Sequence, residues 1–295
     1  METMKTFADL RPKLLAIAYR MLGSRADAED IVQDAWLRWN AADTQSINAP
    51  EGWLVAVTTR LAIDRLRIAQ REREAYTGYW LPEPVVSVEE HSPEAAGLLA
   101  GEVSYALQWL LERLTPTERA AFLLRRVFDR DYDEIAAILK KTETACRQLV
   151  SRATQRLQDE RARFQPSPEA QKRLLERFVA AARSGELAAL QALIDENAAL
   201  VGDGGGKVPS FRHILRGRLR VASLYFAMSR KYGSKVAYRL AWVNGAPGLL
   251  RYVNGVLESV QACSTDGERI TELLVVRNPD KLATVPAALR EPPGF

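Results

Sequence analysis

The strongest constraint on how this chain folds lies in its last third. Asn244-Gly245, Asn254-Gly255 and Asp266-Gly267 separate the strand-like runs KVAYRLAWV, GLLRYV, GVLESVQAC and RITELLVV. Asn-Gly and Asp-Gly accept the positive φ angles that tight hairpin turns require, so these four runs are expected to fold back on one another as an antiparallel meander. Ahead of them come Pro166-Ser167-Pro168, an amphipathic helix over EAQKRLLERFVAAARSG, a shorter helix over ELAALQALIDEN, a strand at LVGDGG, and a helix around Leu219 to Arg230. Two helices, a strand, a helix and a meander predict an α+β domain over residues 166–295, a cone whose sheet curls around a pocket.

The preceding residues follow a helical period instead. Helices are expected at Phe7 to Leu22, Ala26 to Asn40 and Trp53 to about Glu74, with the polar loop AADTQSINAPEG before the third. Gly23 suits a helix end, and Ser24 with Asp27 three residues on suits a helix start. At about 100° per residue, Asp27, Asp30 and Asp34 fall within roughly 60° of one another, beside an apolar arc of Ala28, Ile31, Val32, Ala35, Trp36 and Trp39. For an isolated helix, such a stripe fits both a docking surface and a solvated acidic face. The third helix begins apolar and ends with Arg60, Arg65, Arg67, Arg71 and Arg73. These arginines suit phosphate contacts, or pairs with Asp64, Glu72 and Glu74.

A second helical block runs from Tyr105 to about Phe164. Thr115-Pro116-Thr117-Glu118 is a capping box with proline at the first helical position, and Asp131-Tyr132-Asp133-Glu134 is another. The short helix EIAAIL, the turn Lys140-Lys141-Thr142 and the longer helix ETACRQLVSRATQRL then form a helix-turn-helix. In that motif the second helix enters the major groove by its N-terminal residues, which directs Thr142, Thr144, Arg147, Gln148 and Ser151 to bases. Lys140, Lys141, Arg152 and Arg156 lie nearer phosphates, and Ile135, Ala136, Leu139, Cys146, Leu149 and Val150 form the seam. An ordinary helical hairpin is the competing reading.

Charge divides the chain where periodicity does. Residues 1–75 carry 11 basic and 11 acidic side chains, 76–104 none and 5, 105–164 12 and 9, and 166–295 18 and 12. The segment 76–104, with Pro82, Pro84 and Pro93, reads as an acidic linker and not a packed element. The expected organisation is therefore multidomain: two all-α domains, 1–75 and 105–165, the second a helix-turn-helix, joined by the linker and followed by the α+β domain. No apolar block suits a signal peptide or membrane span, which points to a cytoplasmic protein with no membrane partner. Two cysteines, Cys146 and Cys263, and two histidines, His91 and His213, give no zinc-ligand spacing, so reduced thiols and no metal or cofactor are expected.

The stretches AYRMLGSRADAEDIVQDAWLR, WLVAVTTRLAIDRLR, LTPTERAAFLLR and YDEIAAILKKTETACRQLVSRA, in that order, resemble the extracytoplasmic-function group of bacterial sigma factors. The resemblance implies a promoter-recognition subunit whose partners are core RNA polymerase and promoter DNA. It assigns Asp27, Asp30, Gln33 and Asp34 to polymerase docking, the loop Ala41 to Gly52, especially Ser46, Ile47 and Asn48, to a flipped non-template base, and the helix-turn-helix to the minus-thirty-five element. Three further motifs resemble the subgroup with a fused SnoaL-like C-terminal domain: Trp80-Leu81-Pro82-Glu83-Pro84, Asp203-Gly204-Gly205-Gly206-Lys207 and Asn278-Pro279-Asp280-Lys281-Leu282. This implies that the C-terminal domain regulates the sigma factor from within. Where the family commonly places glycine in the helix-turn-helix turn, this chain has Lys140. A left-handed conformation there would cost about 1 kcal/mol.

Other readings of the third block stay open at this level. A small-molecule pocket and plain core both fit Trp242, Tyr225 and Tyr238, and cones of this type include cyclases and isomerases, for which His213, Asp195, Asp203 and Glu258 are the acid–base candidates. The glycine run before Lys207 suits a tight turn or an anion nest. A ligand-responsive DNA-binding regulator acting without polymerase is the remaining alternative.

Overall fold

The computed structural model describes residues 2–89, Leu98, 103–161 and 167–292, which divide into two compact units. One contains 2–75, Leu98, Val103 and 107–161; the other contains 76–89, 104–106 and 167–292. His91 and Pro93 lie outside the described residues.

The first unit is all-α. Helices α1 (Glu2–Leu22), α2 (Arg25–Ala41) and α3 (Pro50–Glu74) are followed by α4 (Tyr105–Leu110), α5 (Pro116–Arg126), α6 (Tyr132–Leu139) and α7 (Glu143–Arg161). Ser24 Oγ accepts the Asp27 amide at 3.3 Å at the start of α2, and both expected capping boxes form, at Thr115/Glu118 and Asp131/Glu134. The third helix starts three residues earlier than the sequence reading, because Pro50 supplies a preset φ at its first turn.

The end of α1 shows what holds this unit together. A helix leaves its last four carbonyls without intrahelical partners. Here Gln108 Nε2 donates to Tyr19 O at 3.3 Å and Arg20 O at 3.0 Å, Arg119 Nη1 donates to Met21 O at 2.8 Å, and Arg73 Nη2 donates to Leu22 O at 2.7 Å. Residues of α3, α4 and α5 thus cap α1, with cations at the negative end of its dipole. Glu112 accepts from both Arg119, at 2.7 Å, and Arg73, balancing the two guanidiniums. The two helical blocks, expected as separate domains, are joined here by a buried polar network.

In the helix-turn-helix, Ile135, Ile138, Cys146, Leu149 and Val150 are buried, whereas Ala136 and Leu139 are only half-buried. Lys140 adopts φ 53° and ψ 50°, the left-handed cap. Lys140→Gly is therefore expected to stabilise the protein by about 1 kcal/mol. A denaturation midpoint that fails to rise would contradict this.

The second unit is α+β. Strand β1 (Val86–Ser87) precedes α8 (Pro168–Ser184), α9 (Leu187–Ala192), β2 (Ile194–Asp203), β3 (Leu215–Arg216) and α10 (Arg218–Tyr232). Strands β4 (Val236–Val243), β5 (Ala246–Val253), β6 (Val256–Thr265) and β7 (Ile270–Val276) follow, then α11 (Pro279–Leu282) and α12 (Ala287–Arg290). The sheet order is β1-β4-β5-β6-β7-β2-β3, with β2 parallel to β7 and the other pairs antiparallel. Both Asn-Gly pairs make two-residue turns with positive φ at each position, while Asp266 Oδ1 organises a longer loop by accepting the Glu268 and Arg269 amides.

Two corrections concern this unit. Ile194 to Asn197, read as helix, begins β2: Ile194 and the later run 198–203 are buried along the strand, and Ile194 aligns with Ile270. The described part of 76–104 is not an unpacked linker, since Leu81, Pro82, Glu83, Pro84 and Val86 are buried or nearly so. Its backbone also joins the sheet, with Val86 opposite Val243 and Ser87 opposite Trp242. An apolar face next to an unpaired edge strand helps to order a segment that charge and proline content mark as extended.

Candidate functional site

The three dispersed motifs meet on one buried carboxylate. Asp203 ends β2 and is fully buried. Its Oδ1 accepts from the Tyr76 hydroxyl at 2.5 Å and the Gly205 amide at 3.0 Å, and its Oδ2 accepts from the Leu81 amide at 3.0 Å and Lys281 Nζ at 2.7 Å. Lys281 also donates to the Leu81 carbonyl, and its ammonium stands 4.1 Å from the centre of the Trp80 ring. Asn278 Nδ2 donates to Tyr76 Oη at 2.9 Å, while Asn278 Oδ1 accepts the Asp280 amide at 3.0 Å and so caps α11. Lys207 pairs with Asp280 at 2.6 Å on the exposed rim.

This arrangement explains the residue types. A buried carboxylate is tolerated only when its lone pairs are filled, and here four donors, one of them a cation, fill them. Burial, and then the neighbouring Asp203 carboxylate, raise the pKa of the Tyr76 hydroxyl, which keeps its proton and donates. Gly205 has φ +65°, and a Cβ there would lie 2.5 Å from the Asn278 side chain, so the glycine run serves a tight turn. Pro82 O accepts from the Tyr105 hydroxyl, and Asn244, a turn residue, accepts the Val85 amide at 2.9 Å while its own amide donates to Val85 O at 2.8 Å. Neither Tyr76 nor Asn244 carries a local sequence signal for pairing with this segment. Only the two-residue β1 contact makes Asn244 more than a turn former.

The helical unit treats its predicted residues unequally. Asp30, Gln33 and Asp34 are exposed along α2, but Asp27 is half-buried and accepts from Arg65 Nε at 2.9 Å. Arg65 further pairs with Glu72 at 3.2 Å, and Arg67 with Asp64 at 2.8 Å, as the helix-pair reading of these arginines expects. Arg60 donates to the carbonyls of Ile138, at 2.8 Å, and Ala137, at 2.9 Å, capping α6. In this arrangement Arg60 and Arg65 serve internal contacts before any DNA contact.

Ser46 and Asn48 are exposed and Ile47 is half-buried, in the loop after a short 3₁₀ turn at Thr44–Ser46 where Ser46 Oγ donates to Asp43 O at 2.7 Å. Lys141, Thr142, Thr144, Arg147, Gln148, Ser151 and Arg152 line the start of α7 and the turn before it, largely exposed, with Lys140 at the turn itself. Arg147 stacks over Tyr132 at 4.2 Å and pairs with Glu143 at 3.1 Å, whereas Arg152 and Arg156 reach the buried Glu118, at 3.6 and 2.7 Å.

The cone interior is mostly apolar core, with a buried polar set in which the Tyr225 hydroxyl donates to Gln261 Oε1 at 2.8 Å and Gln261 Nε2 donates to Ser259 Oγ at 3.0 Å. Tyr225 and Tyr238 lie in one cluster with Leu174, Phe178, Leu249 and Leu273, and Tyr225 packs edge-on to Phe178 at 4.8 Å. The acid–base candidates do not share a site: His213 is exposed, Asp195 caps the Asn197 amide, and Asp203 closes the cluster above. Glu258 is held by Arg251 and Arg277 at 2.7 and 2.5 Å. Among the described residues no group of acids, histidines and cysteines suits a metal ion, and no helix is long and apolar enough to cross a membrane.

Comparisons with known proteins match both units. The Sigma-70 region 2 model matches residues 6–72, and the Sigma-70, region 4 model matches residues 105–157. ECF RNA polymerase sigma factor SigJ of Mycobacterium tuberculosis is 38% identical over 95% of this chain and 93% of its own length. Probable ECF RNA polymerase sigma factor SigI of the same species is 32% identical over 95% and 94%. The crystal structure of the M. tuberculosis extracytoplasmic function sigma factor SigJ superimposes with a TM-score of 0.79 and 34% identity, covering 95% of this chain and 98% of that one.

Proposed function

The chain belongs to the ECF RNA polymerase sigma factors, and from that premise we propose how its surfaces divide the work of an initiation factor that binds core RNA polymerase and directs promoter-specific transcription. Asp30, Gln33 and Asp34 form the polymerase-facing stripe of α2, with Asp27 oriented by Arg65 at its edge. Ser46, Ile47 and Asn48 receive an unstacked promoter base, and the start of α7 reads the minus-thirty-five element through Thr142, Thr144, Arg147, Gln148 and Ser151. The C-terminal domain acts as a built-in regulator.

One observation carries the regulatory reading: Asp203 binds Tyr76 and Leu81, so the chain leaving α3 is held by the C-terminal domain. A segment fixed by a buried charge cluster gives that domain control over where the chain goes next. The SnoaL-like domain thereby stands in place of, or alongside, a separate anti-sigma protein.

Run-off transcription with purified core polymerase tests both parts. The full chain is expected to yield transcripts, and Asp30→Lys with Asp34→Lys to weaken association with core polymerase at least ~10-fold, about 1.4 kcal/mol, while leaving thermal stability unchanged. Trp80→Ala and Asp203→Asn are expected to shift promoter output in the same direction. Output unchanged in both variants would mean that the C-terminal domain is a passenger.

A further inference from the structure

The 54 residues from Gly204 to Leu257 contain ten lysines and arginines and no aspartate or glutamate, in a chain whose other 241 residues hold all 37 acids. Half of these cations have partners within the fold. Lys207 pairs with Asp280 at 2.6 Å and Arg251 with Glu258 at 2.7 Å. Arg218 donates to Ile194 O at 2.9 Å and Arg239 to Ala288 O at 3.1 Å, and Lys231 lies 5.0 Å from the Tyr232 ring centre. The other five are exposed and, among the described residues, have no carboxylate within ion-pair distance, and three of them, Arg212, Arg216 and Arg220, lie within nine positions of one another.

The fold brings these three arginines to one edge of the second unit. Arg216 sits on β3, the outermost strand of the sheet, opposite Ala199 of β2. Gly217, with φ 96°, turns the chain directly into the 15-residue helix α10, whose first turn holds Arg218 and Arg220 and no acid. Cations at a helix N-terminus oppose the dipole, and clustered like charges repel. Arg212 and His213, both exposed, precede β3 in the chain. None of the acids of β2 forms an ion pair with these three arginines: Asp203 is buried and pairs with Lys281, Asp195 caps Asn197, and Glu196 approaches Gly217 through its backbone carbonyl.

We propose that the edge formed by β3 and the start of α10 binds the phosphate backbone of double-stranded DNA. Exposed arginines without acidic partners at a sheet edge suit the negative backbone of a duplex, and phosphate contacts require no base sequence. The proposal rests on the sigma-factor reading for one premise, that the same chain already holds promoter DNA. Covalent attachment to a DNA-bound chain then gives even weak contacts a high effective concentration. The third domain thus adds affinity that is independent of promoter sequence.

The test is the salt dependence of holoenzyme binding to promoter and non-promoter duplexes, for the full chain and for Arg212→Ser/Arg216→Ser/Arg220→Ser. Each lost phosphate contact lowers the slope of log affinity against log salt by about 0.9, so the triple variant is expected to lose about two to three units of slope on both duplexes. A variant with lysine at the same three positions retains the slope and shows that a charge, not the fold, was removed. An unchanged slope in the serine variant overturns the proposal. So does weakened association with core polymerase in the absence of DNA, or a slope change seen only on single-stranded nucleic acid, since each assigns the patch to another partner. Wild-type holoenzyme that fails to transcribe would instead sink the sigma-factor reading, so the two failures are distinguishable.

Discussion

Asp203→Ala is expected to lower the stability of the C-terminal unit by about 3 to 5 kcal/mol, the range for removing one partner of a buried ion pair. The carboxylate is fully buried and Lys281 is only 11% exposed, so the loss leaves a largely buried ammonium without its anionic partner, beside the Leu81 carbonyl and the Trp80 and Tyr76 rings. It also leaves the Tyr76 hydroxyl proton and the Leu81 and Gly205 amides without the acceptor they share. Lys281→Met is expected to cost less, because Asp203 keeps three donors and methionine fills the same volume against Trp80. Urea unfolding of the full chain measures both. In parallel, chymotrypsin is expected to cut faster at Tyr79 and Trp80 in the alanine variant, because the segment 76–89 loses its central anchor. Equal cleavage rates and an unshifted transition would show that β1 and the apolar contacts of Leu81 and Val86 hold the segment without the carboxylate.

Glu112→Gln has the second largest expected effect, about 3 kcal/mol, and it acts in the helical unit. Arg119 is fully buried and Arg73 nearly so, and both reach the carbonyls that end α1. Glutamine keeps the shape of the side chain but leaves two guanidiniums facing each other without the intervening charge. Burial and the Arg119 charge already oppose the protonated form of Arg73, while Glu112 supports it. The readout is hydrogen exchange: amides of α4 and α5 are expected to lose protection before those within α2 and α3. Uniform loss across the unit would show that Glu112 supports global stability and not the attachment of one helical block to the other.

Legibility in the sequence followed interaction range. Capping boxes at Thr115 and Asp131, the Ser24 cap and both Asn-Gly turns depend on residues three or fewer apart, and all form as their chemistry dictates. The left-handed Lys140 was visible as the one departure from a glycine pattern for the same reason. Side chains whose fate depends on distant partners were less legible. Arg60 and Arg65 have the composition of a phosphate-binding helix, yet the α6 carbonyls and Asp27 claim them, because unsatisfied helix ends and half-buried carboxylates are closer at hand than DNA. Asp27 is correspondingly less available than Asp30 and Asp34, although the three share one stripe.

By itself, then, the sequence determined the helical blocks, the meander, the helix-turn-helix and the three motifs that mark the family subgroup, since periodicity, caps and turns are local physics. Only the tertiary structure decided what the motifs do together. Residues 80 to 84, 203 to 207 and 278 to 282 are separated by more than a hundred and by more than seventy positions, and no local rule states that one carboxylate, Asp203, should satisfy donors from all three and from Tyr76 as well. The reason is desolvation: a charge removed from water must gather partners from wherever the fold brings them, and the acidic, proline-bearing segment becomes part of the sheet because it supplies two of those donors.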